Sequence, residues 1–318
     1  MSRQPLWRST PSAVFPAILG LVGLGLLWRG LAEAFGFTTA VGDILLGVSA
    51  AALFYFSLAY LAKFLARPGV LAEDLRAPPG RAGLSALSMA YIVLAAGLLP
   101  FGLLAAYIWW FGLLLNAVIL VYVLIADFKT RSGGRSATPF QYFTYAGLST
   151  APLAGVALGY SALSQALGYI TLLVFVFISL KIGAKFLRSR PPAPLRPPLV
   201  MLLAPLGLFA LAFGQFGPEI LFLVFYILAW GVAIVLLVFA RWLTSAGFTP
   251  IWGMLGFSLV VFTNMNLMAI DKGFGTIATT GAIAGALIGT PLILFIAFRV
   301  AKMWAKRDLA KKTGAAVA

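Results

Sequence analysis

The chain contains no cysteine and no histidine. Without cysteine there are no disulfides or thiolate metal ligands. Without histidine, the usual ligand of zinc, copper and haem and the usual proton carrier of acid–base catalysis are missing. Serine hydroxyls such as those of Ser85 and Ser88 have no base to activate them. We therefore expect no metal, no cofactor and no enzymatic activity.

Charged residues are also scarce, at 10% of the 318 residues, whereas 62% are hydrophobic. A soluble surface needs far more charge than this. Apolar stretches continue for about 18 residues or more, which is the length of a bilayer-spanning helix and too long for the alternating strands of an outer-membrane barrel. The sequence therefore predicts an all-α membrane protein.

Ten apolar segments separated by charges, prolines and glycines are predicted to cross the membrane as helices. They comprise residues 12–34, 41–66, 82–99, 102–127, 139–159, 162–187, 197–214, 219–243, 250–270 and 276–301. Trp28, Trp109 and Trp110 fall near span ends, as expected of an interfacial aromatic belt. We assign residues 1–303 to a transmembrane domain and residues 304–318 to a basic cytoplasmic tail, expected to be a frayed helix end followed by disorder.

The basic residues predict the orientation of the spans. If both termini lie on one side, every Lys and Arg of the 23 except Arg29 and Lys272 falls on that side. Cytoplasmic loops collect Lys and Arg, so we predict cytoplasmic termini. The net charge of +15 is then a topology signal, and no nucleic-acid partner is expected. Frequent Ala, Gly and Arg are typical of a GC-rich bacterial genome, which places the protein in a bacterial inner membrane.

All eight carboxylates map to span ends or loops. Proton-driven pumps and carriers usually hold an ionisable acid within the membrane. Because the carboxylates of this chain lie outside the membrane interior, their positions favour passive conduction. A carrier of dicarboxylates needs a buried cation, and we find none predicted deeper than Lys181 or Arg241.

Prolines distinguish the odd-numbered spans from the even ones. Each odd span carries proline inside it or at its basic-side start, for example Pro16, Pro152 and Pro205, whereas only the tenth among even spans contains one, Pro291. Proline frees backbone carbonyls, which in a membrane must be buried in protein or face water. We predict that five kinked odd helices line a conduit and five straighter ones shield it from lipid. The alternative is that prolines are simply commoner in membrane helices.

Four short motifs lie in or beside the odd spans. They are Phe15-Pro16-x3-Gly20-x2-Gly23-Leu24-Gly25, Thr138-Pro139, Leu195-Arg196-Pro197 followed by Ala204-Pro205, and Pro250-Ile251-Trp252-x4-Phe257. Together these motifs resemble those of the tellurite-resistance/dicarboxylate transporter family. The family includes bacterial tellurite-resistance membrane proteins, fungal malate and sulfite permeases and plant guard-cell slow anion channels. The resemblance implies ten transmembrane helices arranged as five helical hairpins in a pseudo-fivefold barrel around a central pore, usually in a homotrimer.

The resemblance also implies a pore gate at Phe257, because the family carries an aromatic plug at this position of its ninth helix. Ser258 stands where the family has proline, and Gly256 offers backbone freedom in its place. Gly20 matches a small residue that faces the pore. Without the resemblance, Phe257 is one of 26 phenylalanines, and Gly253 and Gly256 indicate a close helix contact.

The predicted function is a gated anion channel or uniporter for small anions of the chloride, nitrate, sulfite, malate or tellurite class. Candidate anion contacts are the polar groups of Ser149, Thr150, Thr263 and Asn264; candidate pore-lining or kink residues are Pro16, Gly20, Pro152, Pro205, Gly256 and Ser258. The alternative is a secondary carrier of C4-dicarboxylates or tellurite-type oxyanions with a saturable site. A membrane enzyme or assembly factor with a closed core is a third possibility.

Overall fold

The computed structural model describes the backbone of residues 5–129 and 137–317, and the side chains of these residues except 127–129. The described part of the chain is helical and contains no strand. Its α-helices are α1 (Phe15–Phe35), α2 (Ala40–Ala66), α3 (Gly69–Asp74), α4 (Pro78–Gly97), α5 (Leu103–Lys129), α6 (Gln141–Ala146), α7 (Pro152–Gly155), α8 (Ser161–Arg188), α9 (Leu203–Phe216), α10 (Glu219–Val238), α11 (Ala240–Leu243), α12 (Gly253–Asp271), α13 (Gly275–Ala305) and α14 (Asp308–Thr313). Arg3, Arg131 and Arg135, which we predicted on the cytoplasmic side, lie outside the described residues.

Within the described ranges, nine helical stretches are long and apolar enough to cross a membrane. They are Ser12–Phe35, Ala40–Ala66, Pro78–Gly97, Leu103–Ala126, Ser161–Arg188, Ala193–Phe216, Glu219–Val238, Pro250–Asp271 and Gly275–Ala305. Each agrees with a predicted span to within a few residues. The predicted fifth span, residues 139–159, is not one helix. It consists of α6, a 3-10 turn over Gly147–Thr150, and α7. Pro152 lacks the N–H that would continue an α-helix through this point.

Burial separates the long helices into two kinds. In α1, α4, α9 and α12, with their leading turns, between 72 and 83% of the most apolar stretch is buried. In α2, α5, α8, α10 and α13 only between 17 and 33% is buried. The outer faces of these five helices carry large apolar side chains, such as Leu103, Leu173 and Val238. Exposed apolar faces of this extent on long helices suit contact with lipid. The inner helices coincide with odd-numbered predicted spans and the outer helices with even-numbered ones.

The inner segments, namely α1, α4, the broken segment of α6 and α7, α9 and α12, contact one another in a closed cycle. α1 contacts α4, α4 contacts α6 and α7, α7 contacts α9, α9 contacts α12, and α12 contacts α1. Each outer helix packs on the inner segment that precedes it, so α2, α5, α8, α10 and α13 complete five consecutive pairs. The first and last pairs meet where the cycle closes.

The two ends of the described chain meet at one end of the helix bundle, which we call the basic end. Trp304 Nε1 donates to Thr10 Oγ1 at 3.0 Å, and the backbone N–H of Ala316 donates to Asp74 Oδ1 at 3.0 Å. Leu309 of α14 is fully buried. The expectation of a disordered tail is therefore wrong for the described residues up to 317, because this segment has its own buried contacts.

A buried ion pair also lies at the basic end. Lys63 Nζ is 3.3 Å from Asp74 Oδ2, and the two side chains are 0% and 1% exposed. Lys63 also donates to the carbonyl of Thr10 at 3.0 Å, and the Tyr60 hydroxyl donates to Asp74 at 2.8 Å. We call these groups, with the Ala316 amide, the Lys63 cluster. Lys63 lies in the last turn of α2, within the predicted span 41–66, and the short helix α3 brings Asp74 back to it.

We expect Gly112→Ala to destabilise the protein. A Cβ on Gly112 of α5 would lie 2.7 Å from Ile92 Cγ1 and 2.9 Å from the Ile92 backbone nitrogen of α4. Because a helix backbone cannot yield as a side chain can, the overpacking costs about 1–3 kcal/mol. Gly231→Ala in α10 is the control, since a Cβ there meets nothing within 4 Å and alanine favours a helix by up to about 1 kcal/mol. Thermal unfolding in detergent measures the stability of both variants. Equal shifts of the thermal midpoint in the two variants would contradict the packing of α5 on α4.

Candidate pore and aromatic plug

Phe257 projects into the interior of the bundle from the second turn of α12 and is 1% exposed. Its ring meets that of Phe143 in α6 edge to face, with centroids 6.1 Å apart and planes at 84°. On another side, a Cβ on Gly23 of α1 would lie 3.6 Å from Phe257 Cδ2. Because α6 and α12 are not neighbours in the cycle of inner segments, the Phe257–Phe143 contact crosses the space that these segments enclose.

Phe143 was missed in the sequence-based prediction. It is 1% exposed and lies in the first turn of the broken segment, shortly after the Thr138-Pro139 motif. Nothing local to the sequence separates it from the other phenylalanines, since its partner is more than a hundred positions away. Only the Thr138-Pro139 resemblance drew attention to this stretch, and it did not point to a side chain.

The glycines near Phe257 bring α12 close to its neighbours. A Cβ on Gly20 of α1 would lie 3.4 Å from the backbone of Gly256, and one on Gly253 would lie 3.3 Å from the backbone nitrogen of Ala17. A Cβ on Gly256 would lie 3.2 Å from Ile293 of α13. Gly253 and Gly256 thus lie at close helix contacts, as the packing interpretation predicted for them. Gly20, which the resemblance placed at the pore, lies at the same crossing, and this crossing fixes where α12 presents Phe257.

The prolines of the inner segments begin helices. Pro16 and Pro152 lie at the first or second positions of α1 and α7, and Pro205 lies in the first turn of α9. The fixed φ of proline suits these positions, where a missing N–H costs nothing. A proline inside a long helix is found instead in α13, at Pro291. Several inner segments also contain 3-10 turns ahead of their α-helices, such as Pro197–Leu202 and Pro250–Trp252.

The break in the fifth segment is stabilised by side chains. Ser149 Oγ donates to the Ala146 carbonyl at 2.6 Å, and Thr150 Oγ1 donates to the Gly147 carbonyl at 2.8 Å. Carbonyls released by a broken helix must find such donors when buried. The hydroxyl protons of both predicted anion contacts are thus engaged with the backbone.

Trp109 of α5 supports the same break. Its Nε1 donates to the Ala151 carbonyl at 3.0 Å, and its ring stacks on Tyr160 with centroids 5.1 Å apart. The side chain is completely buried. The expectation that Trp109 belongs to an interfacial belt is therefore wrong, because its polar atom is used inside the protein.

The other two predicted anion contacts lie on the sides of α12 that face neighbouring helices. Thr263 Oγ1 donates to the Leu259 carbonyl at 2.8 Å, and its Cγ2 would lie 3.2 Å from a Cβ on Gly285 of α13. Asn264 Nδ2 donates to the Val260 carbonyl at 3.0 Å. Both groups donate within their own helix.

Two buried hydroxyls on inner segments have no hydrogen-bond partner among the described residues. They are Ser258 Oγ, directly after Phe257 on α12, and Ser85 Oγ on α4. Buried polar groups are nearly always paired, so an unpaired hydroxyl is a donor available to water or to an anion. Ser258 was predicted as a pore-lining residue, whereas Ser85 was considered only as an unactivated nucleophile.

The buried cations of the described residues lie at the basic end. They are Lys63, in the Lys63 cluster, and Arg81, whose Nε donates to the Leu75 carbonyl at 2.5 Å. Lys181 and Arg241, the deepest cations predicted from sequence, are exposed on the outer side. Among the described residues, no three Asp or Glu side chains cluster so as to hold a metal ion.

Over residues 9–304 the sequence matches the protein family described as voltage-dependent anion channel. The match begins ahead of α1 and ends in the last turn of α13, and so includes every inner segment and every outer helix. No curated protein matches the chain.

Proposed function

Because the chain belongs to the voltage-dependent anion channel family, we propose that it is a gated anion channel or uniporter with its conduit enclosed by the inner segments and closed by Phe257. Membership confirms the resemblance found in the motifs and makes the chain a multi-pass membrane protein of an anion channel and transporter family. The observation that carries the proposed gate is the contact of Phe257 with Phe143 across the interior.

The gate acts by excluding water. An ion that enters an apolar constriction without its hydration shell meets a barrier of many kcal/mol. Two buried aromatic rings in contact leave no room for that shell. Rotation of Phe257 about its side-chain bonds, away from Phe143, opens a hydrated path without moving α12. The close crossing of Gly20 and Gly256 keeps the helix itself in place.

We propose that the segments cross the membrane ten times, with the broken segment of α6 and α7 as the fifth crossing, in a pseudo-fivefold barrel. The closed cycle of inner contacts and the five consecutive helix pairs support this arrangement. The exposed apolar faces of the outer helices suit both lipid and the subunit contacts of a homotrimer. Clustering of Lys and Arg at the basic end supports cytoplasmic termini in a bacterial inner membrane.

Anion selectivity arises from weak polar groups in this proposal. Ser258 and Ser85 are the strongest candidates for anion contacts, since their hydroxyl protons are unpaired among the described residues. Ser149, Thr150, Thr263 and Asn264 are weaker ones, because an anion must compete with a backbone carbonyl for each proton. A conduit without a deep cation also releases anions quickly, as conduction requires.

Currents through planar bilayers test the channel against the carrier. For a channel, replacing chloride with nitrate, sulfite or malate shifts the reversal potential according to the anion gradient. For a secondary carrier of dicarboxylates or oxyanions, uptake into liposomes saturates and depends on protons, and single-channel currents are absent. Lys63 and Arg81, the two buried cationic residues named above, are already paired with protein groups, which favours the channel.

Phe143→Ala is expected to raise the open probability about two- to tenfold, because an edge-to-face aromatic contact is worth about 0.5–1.5 kcal/mol. Phe209→Ala is the matched control. Phe209 is fully buried in α9 but meets Phe175 of α8 and Phe225 of α10, so it faces the outer helices. Single-channel recording measures both variants. An unchanged open probability in Phe143→Ala would remove Phe143 from the gate.

A further inference from the structure

A cavity of about 430 Å³ lies at the basic end, between the beginning and the end of the described chain. One wall is formed by residues 5–9 and the other by the segment from Arg307 to Val317. Its volume falls within the range of small-molecule sites. The cavity is built from residues that lie before α1 and after α13, and Phe257 is not among the residues that line it.

Among the described residues that line the cavity, the charged side chains are those of Arg8, Arg307 and Lys311, and all three are cationic. Arg8 Nε is buried and has no hydrogen-bond partner within the described part of the chain. A buried guanidinium nitrogen without an acceptor is costly. An anionic ligand in the cavity would supply the acceptor that this N–H lacks.

The wall formed by the tail is held in a fixed conformation. Arg307 joins α13 to α14 with φ at 65°, and among the described residues it is the one non-glycine residue with positive φ. Such a conformation persists only where surrounding contacts enforce it. Those contacts include the fully buried Leu309 and the hydrogen bond from Ala316 to Asp74. Lys311 is therefore carried on a docked helix and does not depend on a free tail for its position.

We propose that this cavity binds a phosphate group, belonging either to a soluble phosphate compound or to the headgroup of an anionic phospholipid. Phosphate presents several acceptor oxygens and more than one negative charge, which suits two arginines and a lysine around one space. The basic end also lies where the spans end, within reach of lipid headgroups. The proposal does not rest on the gating role of Phe257.

Isothermal titration of inorganic phosphate into the detergent-solubilised full chain tests the soluble source. Saturable binding is expected for the parent protein. Lys311→Gln should weaken it about tenfold, as expected for one lost charge-assisted hydrogen bond. Lys312→Gln is the matched control, because this neighbouring exposed lysine does not line the cavity, and it should bind phosphate like the parent.

The lipid source is tested in nanodiscs of phosphatidylcholine, with and without added phosphatidylglycerol. If the ligand is a lipid, phosphatidylglycerol raises the thermal midpoint of the parent and of Lys312→Gln, and Lys311→Gln loses that rise. Phosphate that binds inside the conduit would bind Lys311→Gln as tightly as the parent. That outcome, or the absence of any difference between the two lysine variants with both ligands, overturns the proposal.

Discussion

Phe257→Ala is expected to conduct anions about a hundredfold better than the parent protein in planar bilayers. Removing the ring leaves space for water between α12 and Phe143, and a hundredfold change corresponds to a barrier lower by about 3 kcal/mol. This is a modest part of the barrier that a dry constriction imposes on an ion. The increase should exceed that of Phe143→Ala, because Phe257 also meets α1 near Gly23.

Phe262→Ala is the control for this experiment. Phe262 lies on the same helix and is 8% exposed, but its ring meets Trp230 of α10 at 5.1 Å, so it faces an outer helix. Its truncation removes the same volume without opening the interior. If Phe257→Ala conducts no better than the parent, or if both variants gain equally, Phe257 is not the gate.

Asp74→Ala is expected to lower the free energy of unfolding by about 3–5 kcal/mol. Lys63 is 0% exposed and would be left as a buried charge without a carboxylate to neutralise it, with the Thr10 carbonyl as its remaining acceptor, which is the costly way to break a buried pair. The Tyr60 hydroxyl and the Ala316 amide lose the same acceptor. The loss should appear in thermal or denaturant unfolding in detergent.

Glu73→Ala provides the comparison at the adjacent position. Glu73 pairs with Arg67, but these side chains are 44% and 45% exposed, and exposed pairs contribute at most about 1 kcal/mol. A loss for Asp74→Ala no greater than that for Glu73→Ala would show that the Lys63 cluster is hydrated and not buried.

The sequence predicted the long helices well because the thickness of a bilayer sets both their length and their composition. The prediction was less accurate for the fifth segment, because apolar composition alone did not show that the α-helix is interrupted at Gly147 and Pro152. The separation into inner and outer helices was predicted from the prolines. The physical role of these prolines was different, since they start helices and do not bend them in the middle.

The candidate site was predicted only where a residue has a local signature. Phe257 has one in the spacing from Pro250 and Trp252, whereas Phe143 has none, because their contact joins segments far apart in sequence. The sequence does not show that Lys63 and Asp74 form a buried pair, because their contact depends on how α3 places Asp74 beside α2. Ser149 and Thr150 were predicted as anion contacts from their polar groups alone, and which carbonyls their hydroxyls meet depends on where the helix breaks.

The cycle of inner segments closes between α1 and α12, at the crossing of Gly20 and Gly256. During translation, α1 therefore cannot form its contact with α12 until the last pair of helices has been synthesised. Until then, its glycine face is open to lipid or to the translocation machinery. A chain that stops before α12 lacks both the helix that carries Phe257 and the segment that seals the enclosure, so premature termination should yield a protein for degradation and not a leaky channel.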